Sequence, residues 1–382
     1  MKKKIQRVLE KKLPGLLQEG KVLLIYGPRR AGKTTLINDF LATLPEPDRG
    51  DSLFLSGENR IIQDTFSSQS IESLRSAVGA HRLLVIDEAQ HIPNIGLNLK
   101  LIVDHIPGIR VFASGSASFA LAQQVGEPLT GRKFTVHLYP VWAREIIDAY
   151  SELFFRETLE RYLIYGSYPE LFRLPSDTER ARYMNELIDS YLFRDILALE
   201  NVRNPKKLRD LLTLLAFQIG REVSLSELGT QLELNKQTVF RYLDLLEQSF
   251  VILNIRGFSR NLRKEVTKTS RYYFYDNGVR NALINNFNPL SLRDDIGMLW
   301  ENYLVMERIK KQHYRDIFSN NYFWRTYDQK EVDFVEERDG KLYGHEFTWN
   351  EHAKKPPREW LATYSNASFE VITRENYLPF IT

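Results

Sequence analysis

The chain contains no cysteine. Disulfides and thiolate metal sites are therefore excluded, and a reducing cytoplasmic location is expected. No stretch approaches the roughly 20 apolar residues of a membrane-spanning helix. The opening residues are basic, but no apolar segment follows them, so a secretion signal is not expected. Internal repeats and low-complexity tracts are also missing. What is present, 43% hydrophobic and 26% charged residues, is ordinary for a soluble globular protein. At roughly 150 residues per domain, 382 residues predict two or three domains.

The net charge of +3 conceals an uneven distribution. Residues 1–200 hold 25 basic and 25 acidic side chains, residues 201–275 hold 13 and 7, and residues 276–382 hold 14 and 17. A basic block between neutral and acidic flanks points to a local anionic partner.

Short apolar runs at 22–26, 52–55, 83–86, 110–113 and 134–138 alternate with helical stretches. They are unbroken rather than alternating, as expected of strands buried on both faces of a parallel α/β sheet. The expected layout is a P-loop nucleotide-binding domain over 1–140 and a helical lid or linker over 141–204. A winged helix-turn-helix over 205–285 and an α/β domain over 286–382 follow.

The segment Gly27, Pro28, Arg29, Arg30, Ala31, Gly32, Lys33, Thr34, Thr35 matches G-x-x-x-x-G-K-[ST]. Such a loop turns its backbone N–H groups toward phosphate oxygens, and its glycines permit the close approach. Lys33 is expected on the β- and γ-phosphates and the Thr34 hydroxyl on magnesium. The helix that follows adds its positive N-terminal end.

Residues 82–90 form an apolar run ending in Asp87 and Glu88. Asp87 is expected to hold the magnesium and Glu88 to polarise an attacking water. Many nucleotide kinases lack the second carboxylate, so its presence favours hydrolysis. Ser114 and Ser116 both stand at the tip of the next run and could sense a γ-phosphate. Ser116 could equally be a helix N-cap. Arg132 could stabilise transition-state charge, in its own subunit or a neighbour, or could form a surface ion pair. The same ambiguity attaches to Arg29 and Arg30.

These segments, with Gly131-Arg132 followed by Leu138-Tyr-Pro140, resemble a prokaryotic AAA-type ATPase family whose members carry an uncharacterised C-terminal region. The resemblance implies ATP and Mg2+ as cofactors and a helical lid. It also implies a parallel sheet with the Asp87 strand beside the phosphate-loop strand, and a homo-oligomer.

Residues 223–250 read as helix-turn-helix. Ser224 or Ser226 would cap the first helix and Asn235 the second. Val239, Tyr242, Leu243 and Leu246 would face inward. Lys236, Gln237, Phe240 and Arg241 would then face outward, where a recognition helix meets DNA. Arg260, Arg263 and Lys264 lie in a basic loop between two further apolar runs and would contact phosphates. A module used only for protein packing would show the same pattern.

Residues 330–348 read as a β-hairpin turning at Asp339-Gly340. That turn sets Asp333 opposite Glu346, and two facing carboxylates repel unless something compensates them. A divalent metal held by Glu301, Asp333 and Glu346 is one candidate. The arrangement resembles the restriction-endonuclease-like core, PD-(D/E)xK, with Glu301 as the earlier helical Glu. Thr348 stands where that pattern needs lysine, so nuclease chemistry lacks a component. Lys330 or Lys354 could substitute for it in space. The expected function is an ATPase that couples nucleotide state to DNA binding or remodelling. A nucleotide-switched signalling or scaffold protein is the alternative, and an ATP-driven nuclease a lesser one.

Overall fold

The computed structural model describes residues 3–46, 49–115, 129–192, 204–259, 270–326, 330–350 and 357–382. The chain divides into two compact units. One comprises Ile5–Pro140 with Gln248–Phe250, and the other Val141–Glu247 and Val251–Thr382 with the residues before Ile5.

The first unit is built on five parallel strands: β1 (Val22–Tyr26), β2 (Ser52–Ser56), β3 (Leu83–Asp87), β4 (Arg110–Gly115) and β5 (Lys133–His137). Helices α1 (Leu13–Leu16), α2 (Lys33–Thr43), α3 (Arg60–Phe66), α4 (Ile71–Val78) and α5 (Ile95–His105) accompany them. Every residue of β1 and β3 is buried, whereas the edge strands β2 and β5 are only partly covered. Unbroken apolar runs suit the inner positions because both sheet faces are roofed.

The strand order is β2-β3-β4-β1-β5. The Asp87 strand is thus not beside the phosphate-loop strand, which corrects the expectation above: β4 lies between them. The inserted strand brings Ser114 between the phosphate loop and Asp87.

The second unit begins with α6 (Ala143–Ala149), α7 (Glu152–Glu157), α8 (Leu159–Tyr165), α9 (Asp177–Glu186) and α10 (Pro205–Phe217). Next come strand β6 (Glu222–Val223), α11 (Leu225–Leu232), α12 (Lys236–Gln248), and strands β7 (Ile252–Gly257) and β8 (Ser270–Phe274). The two apolar runs flanking the basic loop pair as expected, with Ile252 opposite Phe274. Helices α13 (Asn277–Leu283) and α14 (Ile296–Tyr314) follow. They lead into β9 (Asn320–Arg325), β10 (Glu331–Arg338), β11 (Lys341–Phe347), α15 (Arg358–Thr363), β12 (Ala367–Ile372) and α16 (Tyr377–Ile381).

These strands form one sheet, ordered β12-β11-β10-β9-β7-β8-β6. Helix α14 docks on β8 through two adjacent polar residues. The Asn302 amide accepts from Phe274 N at 2.7 Å and donates to Phe274 O at 3.0 Å, copying a strand partner. Glu301 Oε1 accepts from the Tyr273 hydroxyl at 2.7 Å. Buried polar groups tolerate desolvation only when paired in this way. Among the described residues no helix is long and apolar enough to cross a membrane.

Candidate active site

The phosphate loop leaves the buried end of β1 and turns into α2. Gly27 is forced by space: a Cβ there would lie 2.0 Å from the Leu138 carbonyl oxygen. Gly32 caps α2 with φ 96°, a left-handed conformation that disfavours other residues. Arg30 is also left-handed, at φ 65°. Lys33 is buried and donates to Gly27 O at 2.9 Å and Pro28 O at 3.2 Å, so its ammonium lies across its own loop.

Thr34 Oγ1 donates to Asp87 Oδ2 at 2.7 Å. The two groups assigned to magnesium are therefore neighbours. Mg2+ in nucleotide sites takes few protein ligands, completing its octahedron with phosphate and water, so a hydroxyl beside a carboxylate fits it. Ser114 is fully buried; its hydroxyl donates to Asp87 Oδ1 and accepts from Glu88 N at 3.1 Å. Asp87 Oδ1 also accepts from Glu88 N at 3.2 Å. In this structure Ser114 fixes the carboxylate of Asp87. Ser116, its rival as a phosphate sensor, lies outside the described residues.

Glu88 adopts φ 51°, unusual for a residue with a side chain, and such conformations cluster at functional sites. Its carboxylate accepts from Gln90 Nε2 at 2.5 Å. Close beneath, Gly57 N donates to Asp87 O at 2.8 Å, and a Cβ on Gly57 would lie 2.3 Å from Glu88 O. Gly57 at the tip of β2 and Gln90 are site residues that sequence reasoning missed. A glycine directly after a parallel strand is the signal for the first.

Arg7 was missed as well. It is buried, and its guanidinium donates to Ala31 O of the phosphate loop at 2.8 Å and to Tyr139 O at 2.6 Å. Nothing in the basic N-terminal run distinguishes it from its neighbours. Thr35 opens α2 beside Thr34 on the exposed side. Arg29 lies 3.7 Å from Glu58.

Arg132 is not at this site. It precedes β5, and its carbonyl accepts from Val22 N at the beginning of β1. The phosphate loop leaves the other end of β1, five residues along, or about 16 Å away at 3.3 Å per residue. Arg132 instead pairs with Asp104, Nε to Oδ1 2.6 Å. The geometry removes it as a stabiliser of nucleotide in its own subunit.

In the second unit, Ser224 caps α11, accepting from Glu227 N at 3.4 Å, and Asn235 Oδ1 accepts from Thr238 N at 2.7 Å. Gly229 makes the turn possible, since a Cβ there would lie 2.7 Å from Leu234 O. Val239, Tyr242, Leu243 and Leu246 are buried, while Lys236, Gln237, Phe240 and Arg241 are exposed. Arg260, Arg263 and Lys264 lie outside the described residues.

The hairpin register runs from Arg338 opposite Lys341 to Phe334 opposite His345, as the Asp339-Gly340 turn dictates. One further step sets Asp333 beside Glu346. A register shift against β9 falls between Val332 and Val335. Asp333 and Glu346 are both buried, yet no group of three or more His, Asp or Glu side chains among the described residues could hold a metal. Among the described residues Glu301, Asp333 and Glu346 do not come together as a three-carboxylate metal group. The Arg271 guanidinium lies among the carboxylates of Glu301, Glu331 and Asp333. Lys330 is exposed, and Lys354 lies outside the described residues.

Comparison with known proteins agrees with the first unit's geometry. Residues 19–147 match the family model described as AAA domain. This part of the chain is an AAA-type, ATPase-like domain. Residues 156–290 and 296–372 match two domains of unknown function, DUF8612 and DUF4143. An uncharacterized protein of Mycobacterium tuberculosis is 29% identical over 336 residues, covering 86% of this chain and 70% of its own length. One from Methanocaldococcus jannaschii is 22% identical, covering 86% and 75%. Among solved structures, a signal transduction ATPase with a tetratricopeptide repeat sensor from Pyrococcus horikoshii aligns with TM-score 0.29 and 14% identity. That alignment covers 81% of this chain and 46% of the other. DnaA from Aquifex aeolicus, bound to AMPPCP, aligns with TM-score 0.29 and 15% identity, covering 63% and 86%. Likenesses this loose carry no functional assignment.

Proposed function

We propose that the chain is an ATP hydrolase whose nucleotide state controls its hold on DNA. The observation that supports hydrolysis is the constellation of Lys33 and Thr34 at the start of α2 with Asp87 and Glu88 at the end of β3, where Thr34 Oγ1 donates to Asp87 Oδ2 at 2.7 Å. Lys33 and the amides of the loop would bind the triphosphate. Thr34 and Asp87 would hold Mg2+, which supplies charge neutralisation on the phosphate oxygens when bound. Ser114 orients Asp87, and Gln90 orients Glu88. Glu88 is the base that would accept a proton from the attacking water.

DNA contact is supported by the exposed Lys236, Gln237 and Arg241 at the start and outer face of α12, in the basic block of the sequence. We read residues 205–285 as a winged helix-turn-helix and the chain as a cytoplasmic homo-oligomer. The test is duplex binding across a salt series. Phosphate contacts release counterions, so affinity should fall steeply with salt. No binding at about 50 mM salt, with or without nucleotide, sinks the DNA half of the proposal.

A protein-binding role for the same face has one supporting observation: Phe240, 61% exposed, stands among those polar residues. Native mass spectrometry with ADP and with a non-hydrolysable ATP analogue tests it. Assembly that follows the nucleotide without any DNA stimulation of turnover would favour this reading.

A further inference from the structure

The acidic cluster of the second unit gathers side chains from distant parts of the chain. Glu301 comes from α14, and Glu331 and Asp333 come from β10. Between them stands Arg271 of β8, 4% exposed. Its Nη2 lies 2.8 Å from Glu331 Oε2, and its Nη1 lies 3.8 Å from Glu301 Oε1 and 3.6 Å from Asp333 Oδ1. The guanidinium plane is seated on the Phe323 ring, 4.5 Å from its centroid.

We infer that Arg271 is the resident cation of this cluster, so that the cleft is charge-compensated from within and takes up no divalent metal. Three features of the geometry carry the inference. Buried carboxylates need a positive partner, and the guanidinium supplies a permanent one that cannot be deprotonated. Glu301 Oε1 and Asp333 Oδ1 face the guanidinium, while Glu301 Oε1 also accepts from the Tyr273 hydroxyl and Asp333 Oδ2 from Phe347 N at 2.9 Å. A divalent ion must approach its oxygens to about 2.0–2.6 Å. The arginine head occupies the space where those oxygens converge, and its charge repels a second cation.

Burial also pushes the Glu301 carboxyl up to about 8, with the Asp333 charge raising it further and Arg271 opposing both. Gly220 closes the cluster from another side, since a Cβ there would lie 2.8 Å from Glu301 Oε1. The inference does not depend on the ATPase reading.

The experiment is a Mn2+ titration of the full chain, following free Mn2+ by electron paramagnetic resonance. All arms carry Asp87→Asn, which removes the phosphate loop's own carboxylate. The parent should leave Mn2+ free up to about 1 mM, the weak limit for protein cation sites. Arg271→Met, which keeps the length of the stem and removes the charge, should gain one bound Mn2+. That ion should be lost again when Asp333→Asn is added. Failure of Arg271→Met to gain a metal overturns the inference. Should Arg271→Met not fold, the parent decides alone: Mn2+ bound by it and released by Asp333→Asn overturns the inference, and unbound Mn2+ supports it.

Discussion

Substituting Gly27 by alanine tests the phosphate loop in the most quantitative way. The new Cβ would stand 2.0 Å from the Leu138 oxygen and 3.0 Å from its carbonyl carbon. A close C···O contact needs about 3.3 Å, so something must move by more than about 1 Å. Leu138 cannot be what yields. It is fully buried, and its N–H is tied to Tyr26 O at 2.7 Å. The loop must therefore lift away from β5, carrying its amides and Lys33 with it. A misplacement of about 1 Å in a positioning element can cost on the order of 100-fold. Applied to ATP affinity, that is about 2.7 kcal/mol. The assay is equilibrium binding of a fluorescent ATP analogue, with thermal melting alongside. Gly15→Ala is the control, because nothing lies within 4 Å of its Cβ. Gly27→Ala binding ATP within a factor of about two of wild type would refute the reasoning, since the loop would not be the nucleotide cradle.

Four further outcomes follow from the same geometry. Ser114→Ala removes a donor from Asp87 and should lower turnover by about 10- to 100-fold with little change in melting, because it disturbs orientation rather than packing. Arg7→Gln should weaken nucleotide binding by about tenfold, as a buried charged donor to Ala31 O is lost. Burial holds His345 down at about 4 against an ordinary 6.5. The unfolded chain therefore binds more protons between those values, and stability should fall as pH drops from 6.5 to 4, by at most about 3 kcal/mol. His345→Phe, set among Phe334 and Phe380, should flatten that dependence in pH-resolved chemical denaturation. Glu301 has the opposite sign: its folded value lies above its unfolded one, so its contribution is full below pH 4.5 and is lost as pH rises through about 8. Glu301→Gln should remove that slope.

Local structure is legible in the sequence where local physics sets it. The five unbroken runs correspond to five parallel strands, and in the inner strands β1 and β3, buried throughout, burial on both faces writes itself directly into composition. Asn235 caps its helix, and the Asp339-Gly340 turn fixes the hairpin register, because both depend only on neighbouring residues. Strand order is not legible in the sequence, because it depends on crossovers between distant segments, which no short motif records. Arg132 is instructive for another reason. In a parallel sheet a residue preceding a strand sits at the opposite edge from a loop that follows one, so its remoteness from Gly27 was implicit in the pattern. Arg271 could not be read in advance. The carboxylates it neutralises lie 30 to 62 positions further on, and only tertiary packing brings them together.

The most direct measurement is steady-state ATP turnover of the wild type beside Glu88→Gln, with ATP binding measured on both. The account predicts equal binding and a loss of turnover of about 10²-fold or more in the variant, as expected when a general base is removed. Glu88→Gln hydrolysing ATP at the wild-type rate, or a wild type with no turnover at all, would contradict it.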